Sequence, residues 1–245
     1  MNLVIARITL RQLLSRRRTL LLLLLGAVVI LVAFTRRLSG ASDASDTRFT
    51  ADLLANLGVA TLMPLVALIF GSGTMGAELE EGTAVYILAK PISRVTVVVT
   101  KLGIAVACSL LLTSIPILLA GLLSGGESAT SLAIGFAVAA AIGSAVYCTI
   151  FLALSLVTGR AFIFGLAYVL VWEGFLASLF PGTRTFSIRQ QTLAFAQGIA
   201  NPPADVFKAD LALGTAVVAA VAIAALALVI AVRRLSRIEI AGEVA

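Results

Sequence analysis

The chain has 245 residues, of which 60% are hydrophobic and only 12% charged, with a mean hydropathy of +1.11. Runs of about 20 apolar residues recur along it, the length that crosses a bilayer core, which marks a polytopic membrane protein and excludes a pair of soluble domains. The formal net charge is +6, but the basic residues sit at the ends of the apolar runs, where they set orientation and meet anionic headgroups, so no nucleic acid partner is expected.

Residues 1–18 place Leu3, Ala6, Leu10, Leu13 and Leu14 on one helical stripe with Arg7, Arg11 and Arg18 beside it. This predicts an amphipathic helix lying in the membrane interface, although Val4 and Ile8 fall on its basic side. Ser15-Arg16-Arg17-Arg18 before a leucine run imitates a secretory or twin-arginine signal, and the spans that follow favour an uncleaved first span. That span covers about residues 19–34. Residues 35–51, rich in Ser, Asp and Arg without apolar periodicity, read as a solvated loop. Span two, about 52–75, contains Pro64, which permits a kink, and ends in Gly71-Ser72-Gly73-Thr74-Met75-Gly76, where glycines permit close helix packing.

Residues 76–101, GAELEEGTAVYILAKPISRVTVVVTK, concentrate polar chemistry between two apolar runs. Three acids, Glu78, Glu80 and Glu81, open it. Thr83 is suited to cap a short helix over 84–89, which Pro91 prevents from extending. Ser93 is placed to cap span three, with Lys90, Arg94 and Lys101 expected to anchor its start at the headgroups. A short helix with Val85, Tyr86 and Leu88 exposed and acids at its edge suits a groove on a soluble partner; it equally suits the membrane surface.

Span three covers about 95–123, a Gly/Ser turn with Glu127 leads to span four at 129–157, and Arg160 marks a tight turn into span five at 161–180. Residues 181–210 are polar, with Arg184, Arg189, Pro202 and Pro203, and their middle, roughly 188–199, is expected to form a short re-entrant or interfacial helix. Span six, about 211–232, leads to Arg233-Arg234. Six spans put both termini on one side, together with residues 76–101. That side carries twelve lysines and arginines against six on the other, so the positive-inside bias places it in the cytoplasm.

Histidine is absent, which removes the commonest metal ligand, the usual general base and any Ser-His protease. No P-loop occurs, since the lysines follow Ala89, Thr100 and Phe207 outside any glycine-rich loop. The chain is therefore not expected to be an enzyme or to carry a metal. Cys108 and Cys148 fall inside spans and read as small buried residues.

Glu80-Glu81-Gly82-Thr83, a hydrophobic run, then Lys90-Pro91-Ile92-Ser93-Arg94 and Lys101 resembles the cytoplasmic stretch of ABC-2 type permeases, the membrane subunits of ATP-binding-cassette exporters. The amphipathic start, the six spans and the short turn between spans four and five extend the resemblance over nearly the whole chain, residues 1–245 as one transmembrane domain. The run Tyr168-Val169-Leu170-Val171-Trp172-Glu173-Gly174 is similar to one branch of that family. The resemblance implies an all-helical permease of the cell membrane, acting as a homodimer. Each copy would hold the coupling helix between spans two and three in a cleft of a separate ATPase subunit, which binds ATP and Mg. Glu80, Glu81, Gly82, Thr83, Pro91, Ser93 and Arg94 carry over as contact and shape positions, with Tyr86 on the helix between them.

Glu173 stands apart as an ionisable group within a span. It is either a structural carboxylate, protonated or paired with Arg184 or Arg189, or a polar point on the translocation path or outer gate. The span composition suits an apolar or amphipathic cargo. The rival readings are an ATPase-independent secondary transporter or channel, and a permease-like assembly scaffold.

Overall fold

The computed structural model describes residues 9–10, 13, 17–39, 43–80, 93–124, 129–179 and 181–237. Among these the chain is helical, with no strand. In order, they form α1 (Arg17–Leu38), α2 (Asp43–Leu53), a π-helical stretch (Leu54–Leu62), α3 (Met63–Glu80), α4 (Arg94–Ser124), α5 (Ala129–Val157) and α6 (Ala161–Ala167). A second π-helical stretch (Tyr168–Leu176) runs into the short α7 (Ala177–Leu179), a 3-10 turn (Pro181–Phe186), α8 (Ile188–Ala200) and α9 (Leu213–Ser236).

Five helices among the described residues are long and apolar enough to cross a membrane: Thr19–Leu38, Thr47–Gly76, Arg94–Ser124, Ala129–Val157 and Leu213–Ser236. The remaining expected span, 161–180, is a shorter apolar helix over Ala161–Leu176. At 1.5 Å per residue its 16 residues reach about 24 Å, less than the roughly 30 Å of a hydrocarbon core. The stretch 35–51, expected as a solvated loop, is helical on both sides, because α1 runs on to Leu38 and α2 begins at Asp43. Packing overrides the polar composition there: Thr50 and Ala51 are fully buried, and the Thr50 hydroxyl meets the Ser124 hydroxyl at 2.6 Å.

From α2 to α3 the chain stays helical for its whole length, and the π-helical stretch explains how it passes Pro64. Proline has no N–H and crowds the preceding turn, and a locally widened helix relieves both problems. The Met63 N–H accordingly bonds the Gly58 carbonyl, five residues back.

α5 is the hub, with α3, α4, α8 and α9 packed around it. Without water to expel between helices, the seams rest on small residues and hydroxyls. Along α4 and α5 the Ser109 hydroxyl meets Cys148 Sγ at 3.1 Å, Thr113 meets Ser144 at 3.1 Å, and Ser114 donates to the Ala137 carbonyl at 2.9 Å. As the α4 number rises the α5 number falls, so the two helices are antiparallel. Gly121 is required in this seam, since a Cβ there would stand 2.6 Å from the Ala133 Cβ. Both cysteines are buried, as their positions in the apolar runs imply. α9 presents Ala216, Ala220, Ala227 and Ala231 inward, a helical stripe of small side chains.

α8 occupies the expected place of a short helix in the 181–210 segment, and its middle, Gln191 through Ala196, is buried on every side. Its Thr192 lies against Gly143 of α5 and its Ala200 against Gly135. α8 thus runs antiparallel to α5, and its Ile188 end is its deep end. Gly143 is 14 residues from Ala129, so the first turn of α8 starts about 20 Å or more along α5, at the helix middle. The π-helical stretch, whose Tyr168 lies against Phe151 and whose Glu173 lies near Tyr147, runs along α5 in the same direction as α8, and the 3-10 turn between them lets α8 start deep in the bundle.

Candidate functional site

Two polar clusters are built into an otherwise apolar bundle. The first lies where α3 and α4 flank residues 81–92. Ser93 begins α4 in the way expected of a cap: its Oγ accepts from the Thr96 N–H at 3.2 Å and meets the Thr96 hydroxyl at 2.7 Å, and its carbonyl accepts from the Val97 N–H at 3.2 Å. Arg94, next in line, is half-buried. Glu80 is the last residue of α3. Glu81, Gly82, Thr83, Tyr86 and Pro91, with the short helix expected over 84–89, lie outside the described residues, as does most of the N-terminal amphipathic segment.

Lys101 corrects its sequence reading. It was expected at the headgroups, yet its side chain is 0% exposed and its ammonium lies 2.5 Å from Glu78 Oε2, on a carboxylate side chain only 6% exposed. The same Nζ donates to the Thr74 carbonyl at 2.8 Å. Thr74 and Glu78 are four residues apart, one turn of α3, so one ammonium grips two points on a single face. The physical reason is position: Lys101 follows Arg94 by two helical turns, about 10 Å, which carries it below the interface and leaves an interior partner as its only solvation. Removing one member of such a pair strands the other and costs about 3–5 kcal/mol. Glu173 is therefore not alone as a buried ionisable group. A lysine inside an apolar helix and the first acid of the charge cluster, still within α3, were the available signals, masked by the more conspicuous residues between them.

The second cluster surrounds Glu173, which is 4% exposed. Its Oε2 accepts from the Ser187 hydroxyl at 2.5 Å, and its Oε1 accepts from the Ile188 N–H at 2.9 Å and the Tyr168 hydroxyl at 3.2 Å. Ser187 is the N-cap of α8, its Oγ also accepting from the Gln190 N–H at 3.2 Å. A helix that starts deep in a bundle exposes its first N–H groups where no water can meet them, and its positive end favours an anion. Glu173 and Ser187 together supply both needs. The π-helical stretch carries Tyr168 and Glu173 five residues apart yet on one side, which a widened turn allows. Tyr168 is held edge-on to Phe151, which stacks on the fully buried Tyr147 beside the carboxylate.

Neither arginine expected as a partner of Glu173 takes that part. Arg184 pairs with Asp210 at 3.0 Å, and Arg189 donates to Asn56 Oδ1 at 3.3 Å. With the exposed pair Arg48–Asp205 at 3.3 Å, these contacts tie the 201–212 connection and α8 to the start of the second long helix. They draw the arginines toward the open end of α8, away from the cap. The structure thus brings Ser93 and Arg94 to the α3–α4 junction and places Glu173 in a separate cluster.

A bundle of apolar helices crossed by small-residue and hydroxyl seams, with charge confined to paired or capped positions, defines a multi-pass helical membrane protein. Comparison with protein families makes this specific. The family model for ABC-2 family transporter protein matches residues 12–181, and the chain belongs to that family. The match includes the first cluster and, of the second, Tyr168 and Glu173; Ser187 and Ile188 lie beyond it. A search of curated proteins gave no match.

Proposed function

We propose that the chain is the permease subunit of an ATP-driven exporter, working with a separate ATPase subunit that binds ATP and Mg. Membership of the ABC-2 family carries this reading, because the matched residues include the whole polar stretch between α3 and α4. Thirteen residues, 81–93, join the two helices there, where a turn of a few would do. Thr83 and Pro91 bound a short helix in that stretch, and Glu80, Glu81, Gly82, Tyr86, Ser93 and Arg94 form its contact surface toward the ATPase. Two copies pair in the cytoplasmic membrane with termini inside. The arginine asymmetry supports this orientation even without the buried Lys101, leaving eleven basic residues against six. The apolar lining of the spans suits an apolar or amphipathic substrate.

Co-purification with a candidate ATPase subunit tests the reading directly. The parent chain is expected to bind that ATPase and raise its activity, and Gly82→Pro and Tyr86→Ala to lose both while still inserting. Parental binding and stimulation by both variants would refute the coupling surface. A secondary transporter or channel would instead transport without any ATPase.

Glu173 is better read as the cap of α8 than as a gate. Of its three partners, all donors, the Ser187 hydroxyl and the Ile188 N–H belong to the start of α8, and the Tyr168 hydroxyl comes from its own π-helical stretch.

A further inference from the structure

The Glu78–Lys101 pair carries a mechanical consequence. α3 and α4 are joined in the chain through residues 81–93, and two helices so connected are free to slide and rotate against each other unless side chains prevent it. Around the pair, Met75 of α3 and Val97 and Val98 of α4 share one buried apolar cluster, and such non-directional contacts resist separation more than rotation. Lys101 adds what this contact lacks. Its ammonium reaches the Thr74 carbonyl at 2.8 Å and the Glu78 carboxylate at 2.5 Å, two points one helical turn apart. A single contact would act as a pivot; two along the axis set both height and rotation. With Lys101 fully buried, neither water nor salt competes for it. Ser93 closes the first turn of α4, so the two turns from Ser93 to Lys101 form a stiff lever based on α3.

We propose that Glu78 and Lys101 are positioning residues that lock α3 to α4, so that a displacement of residues 81–92 moves both helices as one body. The lock itself is a property of the chain alone; its use in transport rests on the ATPase-coupled reading above.

Nitroxides at Gly73→Cys and Gly103→Cys, in nanodiscs and without any ATPase, read the lock by dipolar broadening. A Cβ at Gly103 meets nothing within 4 Å and one at Gly73 only the Leu13 methyl at 3.4 Å, while the native cysteines are buried from the label. The parent pair is expected to give one narrow distance. Lys101→Met and Glu78→Gln should broaden it, and the exchange Glu78→Lys/Lys101→Glu should narrow it again. Lys101→Arg, which replaces a compact point charge by a planar fork, covers the case in which Lys101→Met fails to insert, and should broaden it too. In the complex with the ATPase, the single variants should bind it as the parent does but export about fivefold less, or lower still, per ATP hydrolysed. Parental distances in the inserted single variants would overturn the lock, whatever the ATPase does. Loss of ATPase binding in step with loss of export would overturn its role in coupling. A parent chain that binds no ATPase would overturn the functional reading, while the nitroxide distances still decide the lock.

Discussion

Replacing Glu173 by alanine removes the acceptor of three hydrogen bonds at once, and the structure sets the cost of each. The Ser187 and Tyr168 hydroxyls, at 2.5 and 3.2 Å, are rotors and can seek other acceptors. The Ile188 N–H, at 2.9 Å, is fixed by the backbone and cannot. A stranded buried donor costs about 1–3 kcal/mol, and losing the anion at a partly buried helix N-terminus up to about 2 kcal/mol more. Glu173→Ala should therefore lose about 3–5 kcal/mol of stability once the weakened Ser187 contact is included. Glu173→Gln keeps one carbonyl oxygen for the Ile188 N–H and offers its amide to Ser187, and should lose about 1–2 kcal/mol. Denaturation of the detergent-solubilised protein, followed by circular dichroism, measures both. Hydrogen exchange of residues 188–192 should rise in the alanine variant, with the rest of the bundle protected as in the parent. Stability of Glu173→Ala within about 0.5 kcal/mol of the parent would refute the capping account. In transport, Glu173→Gln should keep most of its activity; parental stability with abolished export would instead give the carboxylate a place on the translocation path.

Gly121→Val should lose at least about 2 kcal/mol by denaturation, because the added Cβ meets the Ala133 Cβ at 2.6 Å in a seam with no room to give. In the same seam, Thr113→Val with Ser144→Ala should lose only about 0.6 kcal/mol in a double-mutant cycle, since the Thr113 hydroxyl already bonds its own helix at Ser109. Arg48→Ala should leave stability within about 0.5 kcal/mol of the parent, because both members of its pair with Asp205 are exposed at 61% and 67%.

Much of the fold was legible because hydrocarbon length is a blunt signal. The boundaries at Ala129 and Val157 could be read from composition alone, and α8 falls where a short helix was expected in the middle of the polar segment 181–210. What escaped were features that depend on tertiary partners. Residues 43–51 have a polar composition and still form helix, since Thr47, Thr50 and Ala51 find buried neighbours. Lys101 looked like an interfacial anchor because no sequence pattern records that Glu78 and the Thr74 carbonyl face it from another helix. Glu173 was visible as an intramembrane acid, but its nearest basic residues in sequence were misleading. Its partners are a serine, a tyrosine and a backbone N–H, none of which announces a charge.

The same partners bear on how such a chain is driven. A secondary transporter moves protons or ions through groups that exchange them, and a relay of hydroxyls needs protons free to hop. In this bundle the Thr113 hydroxyl donates to the Ser109 carbonyl, and those of Ser72, Thr149 and Ser155 likewise donate to carbonyls of their own helices. A hydroxyl has one proton, so these groups meet their neighbours across the seam mainly as acceptors. The two described carboxylates buried in the bundle are engaged in opposite ways, Glu78 by an ammonium and Glu173 by a helix start. Each secures a helix end: one at the α3–α4 junction, the other at the deep turn into α8. Among the described residues, charge placed in this manner ties helix ends together. On the ATPase-coupled reading proposed above, helices tied in this way would move together when force is applied between α3 and α4.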